Sequence, residues 1–138
     1  PKEGAPEGME LPKHMHGIYS FDLLSKTVKL DPIATIAEKE IGRIIGNQGK
    51  AHSFKPSAIA IHPKTGNLYV LASVGKVLIV IDPKDQRVLH VQLLDPAVFP
   101  QPEGMTFDAN DNLLISSEGL AGQPASITRF NPVIPKKQ

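Results

Sequence analysis

Cysteine and tryptophan are both absent from this 138-residue chain, and aromatic residues make up only 5% of it. Without cysteine there is no disulfide staple and no thiolate metal site, a composition compatible with either redox compartment. An excess of one charge is missing too. The 15 Lys and Arg nearly cancel the 14 Asp and Glu, leaving a formal net charge of +1. That balance gives no warrant for nucleic-acid binding or for attraction to an anionic membrane. No apolar run approaches the roughly 20 residues of a membrane-spanning helix. The opening PKEGAPEGME is polar and proline-rich, without the apolar stretch of a secretory signal.

What the chain does have is a hydrophobic content of 41%, enough for one soluble globular domain of this length. It also has 13 prolines and 11 glycines, set mostly between short apolar runs, which is the turn punctuation of a β protein. The strongest signal is an internal repeat. PSAIAIHPKTGNLYVLAS, starting at Pro56, returns as PEGMTFDANDNLLISSE, starting at Pro102, 46 positions later. Pro56 meets Pro102, Ile59 meets Met105 and Ile61 meets Phe107. After a one-residue gap, Asn67-Leu68 meets Asn112-Leu113 and Ser73 meets Glu118. A period between about 20 and 50 residues marks solenoids, arrays and propellers.

Taken in order, residues 1–16 read as a loop. GIYSFD (17–22) and TVKL (27–30) read as a hairpin closed by LLSK. In IATIAEKEIGRII (33–45) the pattern predicts strand to about Ile36 and a short helical turn over Glu38 to Ile44, ended by GNQG. SAIAI (57–61), NLYVLAS (67–73) and VLIVID (77–82) are apolar at nearly every position, as in strands buried on both faces. RVLHVQLL (87–94) alternates, with Leu89, Val91 and Leu93 set against Val88, His90 and Gln92, the mark of a half-exposed strand. Three buried strands and one half-exposed strand make a propeller blade with its fourth strand on the rim. GMTFD, NLLISS and SITRF begin the next cycle.

The expected architecture is therefore all-β and part of a β-propeller with four-stranded antiparallel blades. Residues 1–53 form the second half of a blade and a connecting insertion, 54–98 a complete blade, and 99–138 three strands of a further one. A closed propeller needs at least four blades. The chain is thus expected to be about half of a larger assembly, partnered by the remaining blades from the same gene product or a second chain.

Blade geometry places the start of each first strand beside the end of the second. Ser57, Ser73, Glu103, Glu118 and, one blade earlier, Glu3 then share one rim of the central channel, with the turns on the opposite face. Such oxygens suit a hard cation such as Ca²⁺ or paired acid–base work, but with nothing to fix the distance between Glu103 and Glu118 the favoured reading is that each Glu accepts backbone amides of neighbouring blades. HMH, His14 to His16, offers two imidazoles but no third ligand nearby in sequence, and reads as solvated. His62 reads as a turn residue. DANDN lacks the Gly and Glu of an EF-hand loop, and GNQG lacks the basic residues of an RNA-binding GXXG loop.

FKPSAIAIHPKTGNLYVLASVGKVLIVID followed by FPQPEGMTFDANDNLLISSEG resembles the SdiA-regulated family of bacterial β-propeller proteins. The second part is also similar to esterase-like and phytase-like propellers. The resemblance implies about six blades, export to the periplasm or cell surface, and Glu103, Glu118 and Glu3 as central-rim residues. It implies no secure activity, since fold does not fix function. Two readings follow: a binding scaffold without catalysis, or a Ca²⁺-dependent hydrolase at the channel mouth.

Overall fold

The computed structural model describes residues 10–131. The chain divides into two compact units. Among the described residues, one is formed by those up to His52 with Pro83–Gln86, the other by Ser53–Asp82 and those from Arg87 on.

In the first unit, β1 (Met15–Ile18) pairs antiparallel with β4 (Ala34–Ala37), and β2 (Phe21–Asp22) with β3 (Thr27–Val28). Of the expected hairpin only Phe21–Asp22 and Thr27–Val28 pair; Gly17 and Ile18 face Thr35 and Ala34 instead of TVKL. At its tip the Asp22 carboxylate accepts the amides of Leu24 at 2.9 Å and Ser25 at 2.8 Å. These bonds, that from Ser25 first, hold the Asp22 carboxyl below its ordinary value. Lys26 completes the turn in the left-handed region, at φ 56°.

Ala37 ends the strand and α1 (Glu38–Ile44) begins at once, as the sequence pattern predicts. Glu38 and Glu40 in its first turn and Arg43 in its last agree with the helix dipole. It buries Ile41 and Gly42. A Cβ at Gly42 would stand 1.8 Å from the Lys50 carbonyl oxygen, so the returning loop requires glycine there. Gly46, at φ 78°, terminates the helix, its amide bonding the Arg43 carbonyl.

The second unit holds a four-stranded sheet in the order β5-β6-β7-β8 and a three-stranded sheet in the order β9-β10-β11. The strands are β5 (Lys55–Ile61), β6 (Leu68–Val74), β7 (Val77–Asp82), β8 (Arg87–Leu93), β9 (Gln101–Phe107), β10 (Leu113–Glu118) and β11 (Ser126–Phe130). All pairings are antiparallel between sequence neighbours. The protein is thus all-β, with one complete four-stranded meander of the blade type and the first three strands of another.

The inner turns match as the strands do. His62 donates its amide to the Asn67 carbonyl, and Asp108 donates its amide to that of Asn112. The residue before each asparagine is left-handed, Gly66 at φ 74° and Asp111 at φ 62°. The outer turn between β7 and β8 likewise ends on a left-handed residue, Gln86 at φ 58°, as Lys26 ends the β2–β3 turn.

The core of this unit runs through both repeats. Leu71 and Leu78 of the first join Leu94 and Phe99 of the connection and Leu113 and Ile115 of the second. Leu71 and Ile115 are fully buried. His62, Tyr69 and Phe107 form a ring cluster across the repeats, with Tyr69 and Phe107 edge to face at 4.9 Å.

Two expectations need correction. SAIAI is not buried on both faces, since Ile59 and Ile61 are 50% and 64% exposed. β5 is the edge strand of its sheet, and only β6 and β7 lie between two paired neighbours. In β8 the simple alternation also fails. The ladder slips between Val80 and Ile81, so that Val80 faces His90 and Ile81 faces Val88, leaving Leu89 as an extra residue. Val88 and Val91 are therefore half-buried while Leu89 and Leu93 are exposed.

Candidate functional site

The repeated proline dictates the geometry at one end of both sheets. Proline cannot donate to a ladder and is confined to edges, strand starts and bulges. Pro56 and Pro102 each sit where the register slips. Pro56 faces Ala72 and Ala58 faces Leu71, so Ser57 is the extra residue of β5. Pro102 faces Ser117 and Gly104 faces Ser116, so Glu103 is the extra residue of β9. Ser73, between Ala72 and Val74, is a second unpaired residue at the same end of the first sheet. Bulges re-aim side chains and occur often at sheet edges and beside functional sites.

Ser57 is tied down. Its Oγ donates to the Pro102 carbonyl at 2.8 Å, with the Leu71 carbonyl further off at 3.4 Å. This joins the first strand of one repeat to that of the next. Ser57 is thus a link between repeats, made by its hydroxyl to a backbone carbonyl. Ser73 is half-buried, and its carbonyl accepts the Lys76 ammonium at 2.6 Å.

Glu103 and Glu118 differ. Both are exposed, and among the described residues neither carboxylate has a hydrogen-bond or ion-pair partner. Glu118 faces Gln101 across the ladder, two positions before Glu103 on β9. Beside Glu118 lies a shallow depression lined by Ser116, Ser117, Ala125, Ser126 and Ile127. The start of β9 is pinned by Ser117, which is 3% exposed and whose Oγ accepts the Gln101 amide at 3.0 Å. Gly104 keeps this end narrow, because a Cβ there would meet Ser116 Oγ at 2.3 Å. Four of the five rim residues read from the sequence thus lie at the same ends of the two sheets. Glu3 lies outside the described residues.

Sequence reasoning missed Lys76, which brings a positive charge to this end, and Ser117. Lys76 was visible only as part of a turn, and Ser117 earns its role through a cross-strand contact. No group of three or more His, Asp or Glu side chains converges as a metal cage among the described residues.

The opposite end carries the turns. Lys64 of the first inner turn forms an ion pair with Asp111 of the second. Asp108 accepts the amides of Asn110 at 2.8 Å and Asn112 at 2.9 Å, and the Asn112 side-chain amide at 2.7 Å. A second depression there is lined by His62, Tyr69, Phe107, Asp111 and Phe130. Its one carboxylate, Asp111, is paired with Lys64, whereas Glu103 and Glu118 at the bulged end are uncommitted among the described residues.

The reading of HMH as solvated also changes. His14 Nδ1 lies 2.8 Å from one oxygen of Glu38 and His16 Nε2 lies 3.2 Å from the other. The pairing of Met15 with Ala37 sets this contact, across 22 to 24 residues of sequence.

A four-stranded meander followed by three strands of a second, both bulged at the same end and the second bearing Glu103 and Glu118 there, defines a modular all-β protein whose candidate site lies at the sheet ends. A family model, SdiA-regulated, matches residues 36–120, more than half of the chain, and the chain belongs to the SdiA-regulated family. Searches of curated proteins and of solved structures return no significant match. No helix among the described residues is long and apolar enough to cross a membrane.

Proposed function

We propose that this chain is part of an extracytoplasmic β-propeller that acts as a non-catalytic binding scaffold, completed by further blades and taking its ligand or partner at the bulged end. One observation carries the reading: Glu103 and Glu118 present exposed carboxylates without partners among the described residues, on strand ends that the Pro102 bulge and Ser117 hold in place. Carboxylates kept uncommitted beside a depression suit a ligand that brings cationic or hydrogen-bond-donor groups. Lys76, near Ser73, adds a positive group at the same end and so favours a partner of mixed charge. The family match supports the membership and leaves the ligand open.

The same carboxylates are hard oxygen donors, which motivates the competing reading of a Ca²⁺-dependent esterase or phosphoesterase. Ca²⁺ takes six to eight oxygens at about 2.3–2.6 Å. Glu103 and Glu118 supply at most four, so water or further blades would complete the shell. Calorimetric titration of the full-length gene product with Ca²⁺ separates the readings. The scaffold reading predicts the same heats for wild type and for Glu103→Gln/Glu118→Gln. Stoichiometric uptake in wild type that the double variant loses would replace it with the metal-dependent one.

A further inference from the structure

We infer that His14, His16 and Glu38 form a capture site for a divalent transition metal, with Zn²⁺ the best-suited ion. Three observations at one corner of the first unit carry this. The two imidazoles flank a single carboxylate, with nitrogen–oxygen separations of 2.8 and 3.2 Å. In a tetrahedral Zn²⁺ site with bonds near 2.0–2.1 Å, neighbouring ligand atoms stand roughly 3.3 Å apart. Each contact is therefore within about half an ångström of a coordination edge, and a metal replacing them draws the two nitrogens from opposite oxygens towards one ion.

The backbone holds the three groups together independently of that contact. The Glu38 amide donates to the His14 carbonyl at 3.0 Å, and His16 faces Ile36 in the ladder. His14 itself stands in the left-handed region at φ 66°, with its ring against Glu38.

Exposure divides the labour. Glu38 is 13% exposed and His16 27%, a semi-buried pair, whereas His14 is 57% exposed, so its ring has room to turn once its contact with Glu38 is given up. As the side chains stand, the imidazoles engage opposite carboxylate oxygens, and among the described residues no three such groups already converge. Closure on the ion is thus an adjustment of the exposed His14 ring and a rotation of the Glu38 carboxylate. Nitrogen and carboxylate donors without sulfur suit Zn²⁺, Ni²⁺ and Cu²⁺ over Ca²⁺, and no cysteine exists in the chain to compete. The ligand set is His14 Nδ1, His16 Nε2 and one Glu38 oxygen, with water in the fourth position. The site is separate from Glu103 and Glu118 and does not depend on the function proposed for them.

The test is a titration of the chain with Co²⁺ at neutral pH, followed by visible absorption, with Zn²⁺ as competitor. The site predicts one equivalent of Co²⁺ giving the intense bands of a tetrahedral N/O environment, abolished by one equivalent of Zn²⁺. Glu38→Gln and His16→Asn should each weaken binding at least about tenfold. His14→Asn keeps a residue that tolerates the left-handed conformation, so it should lose affinity without losing the fold, as checked by circular dichroism. His90→Asn, on β8, should bind like wild type. Absence of tetrahedral bands in wild type overturns the proposal. So does equal affinity in a folded His14→Asn variant, or loss caused by His90→Asn alone.

Discussion

Truncating Leu71 and Ile115, singly and together, asks whether the two repeats share one core. Both side chains are fully buried, one on β6 of the first sheet and one on β10 of the second, within a single apolar cluster. Removing such a side chain loses its transfer free energy and leaves a cavity, about 2–5 kcal/mol for each change to alanine. In a unit of this size a loss of about 2 kcal/mol lowers Tm by roughly 8–16 °C. Because the chain has no tryptophan, urea unfolding can be followed by tyrosine emission. Tyr19→Phe leaves Tyr69, whose ring packs edge to face on Phe107 across the repeats, as the reporter. If the repeats pack as neighbouring blades, the second truncation enlarges a cavity already opened. It should then cost less than it does alone, by about 0.5–3 kcal/mol. Where the alanine variants are too unstable to measure, Ile115→Val, at about 0.5–1.5 kcal/mol, replaces one arm. Additivity within about 0.5 kcal/mol would refute a shared core.

Other expectations follow from single contacts. Gly42→Ala drives a Cβ into the Lys50 carbonyl and should destabilise the first unit by about 1–3 kcal/mol or more, read as a lower midpoint of the Tyr19 signal in a Tyr69→Phe background. The Asn112 side-chain amide, with backbone amides, holds the Asp108 carboxyl below its ordinary value of 3.8. The turn's stabilisation is thus present above that value and lost as pH falls through the lower folded one. Asp108→Ala should abolish this acid sensitivity and speed hydrogen exchange at the Asn110 and Asn112 amides. Burial raises the Tyr69 hydroxyl above its ordinary value of 10.0, so the folded protein holds that proton more tightly. Stability should be unaffected below pH 10 and decline as pH rises from there, with a phenolate absorbance titration shifted upward relative to that of exposed tyrosine.

Much of this fold can be read from the chain because its determinants are local. VLIVID and SITRF coincide with β7 and β11 to the residue, and the change from ATIA to EKEIGRI marks the junction of β4 and α1. The exposure of β5 could not be read, because an apolar strand looks alike whether it is central or at an edge. Leu89 was misassigned because a bulge is a property of two strands, and the alternation of one strand does not reveal it. The candidate rim was half legible. Pro56 and Pro102 announce the bulges, and the repeat brings Ser57, Ser73, Glu103 and Glu118 to one end. That Ser57 is spent on the Pro102 carbonyl while Glu103 stays uncommitted depends on a contact between strands 45 residues apart. The partnership of HMH with Glu38 was hidden for the same reason.

The proposed function places recognition at the bulged end, and charge reversal at each end in turn tests this most directly. The full-length gene product is immobilised as wild type, as Glu103→Lys/Glu118→Lys, and as Lys64→Glu/Asp111→Lys, which preserves the turn-end pairing in reverse. Each is exposed to the same cell-envelope extract, and retained components are compared quantitatively. Components held by wild type should be lost from the Glu103/Glu118 variant and kept by the Lys64/Asp111 variant. Retention by the first variant, or loss confined to the second, would contradict the assignment of the bulged end as the binding face.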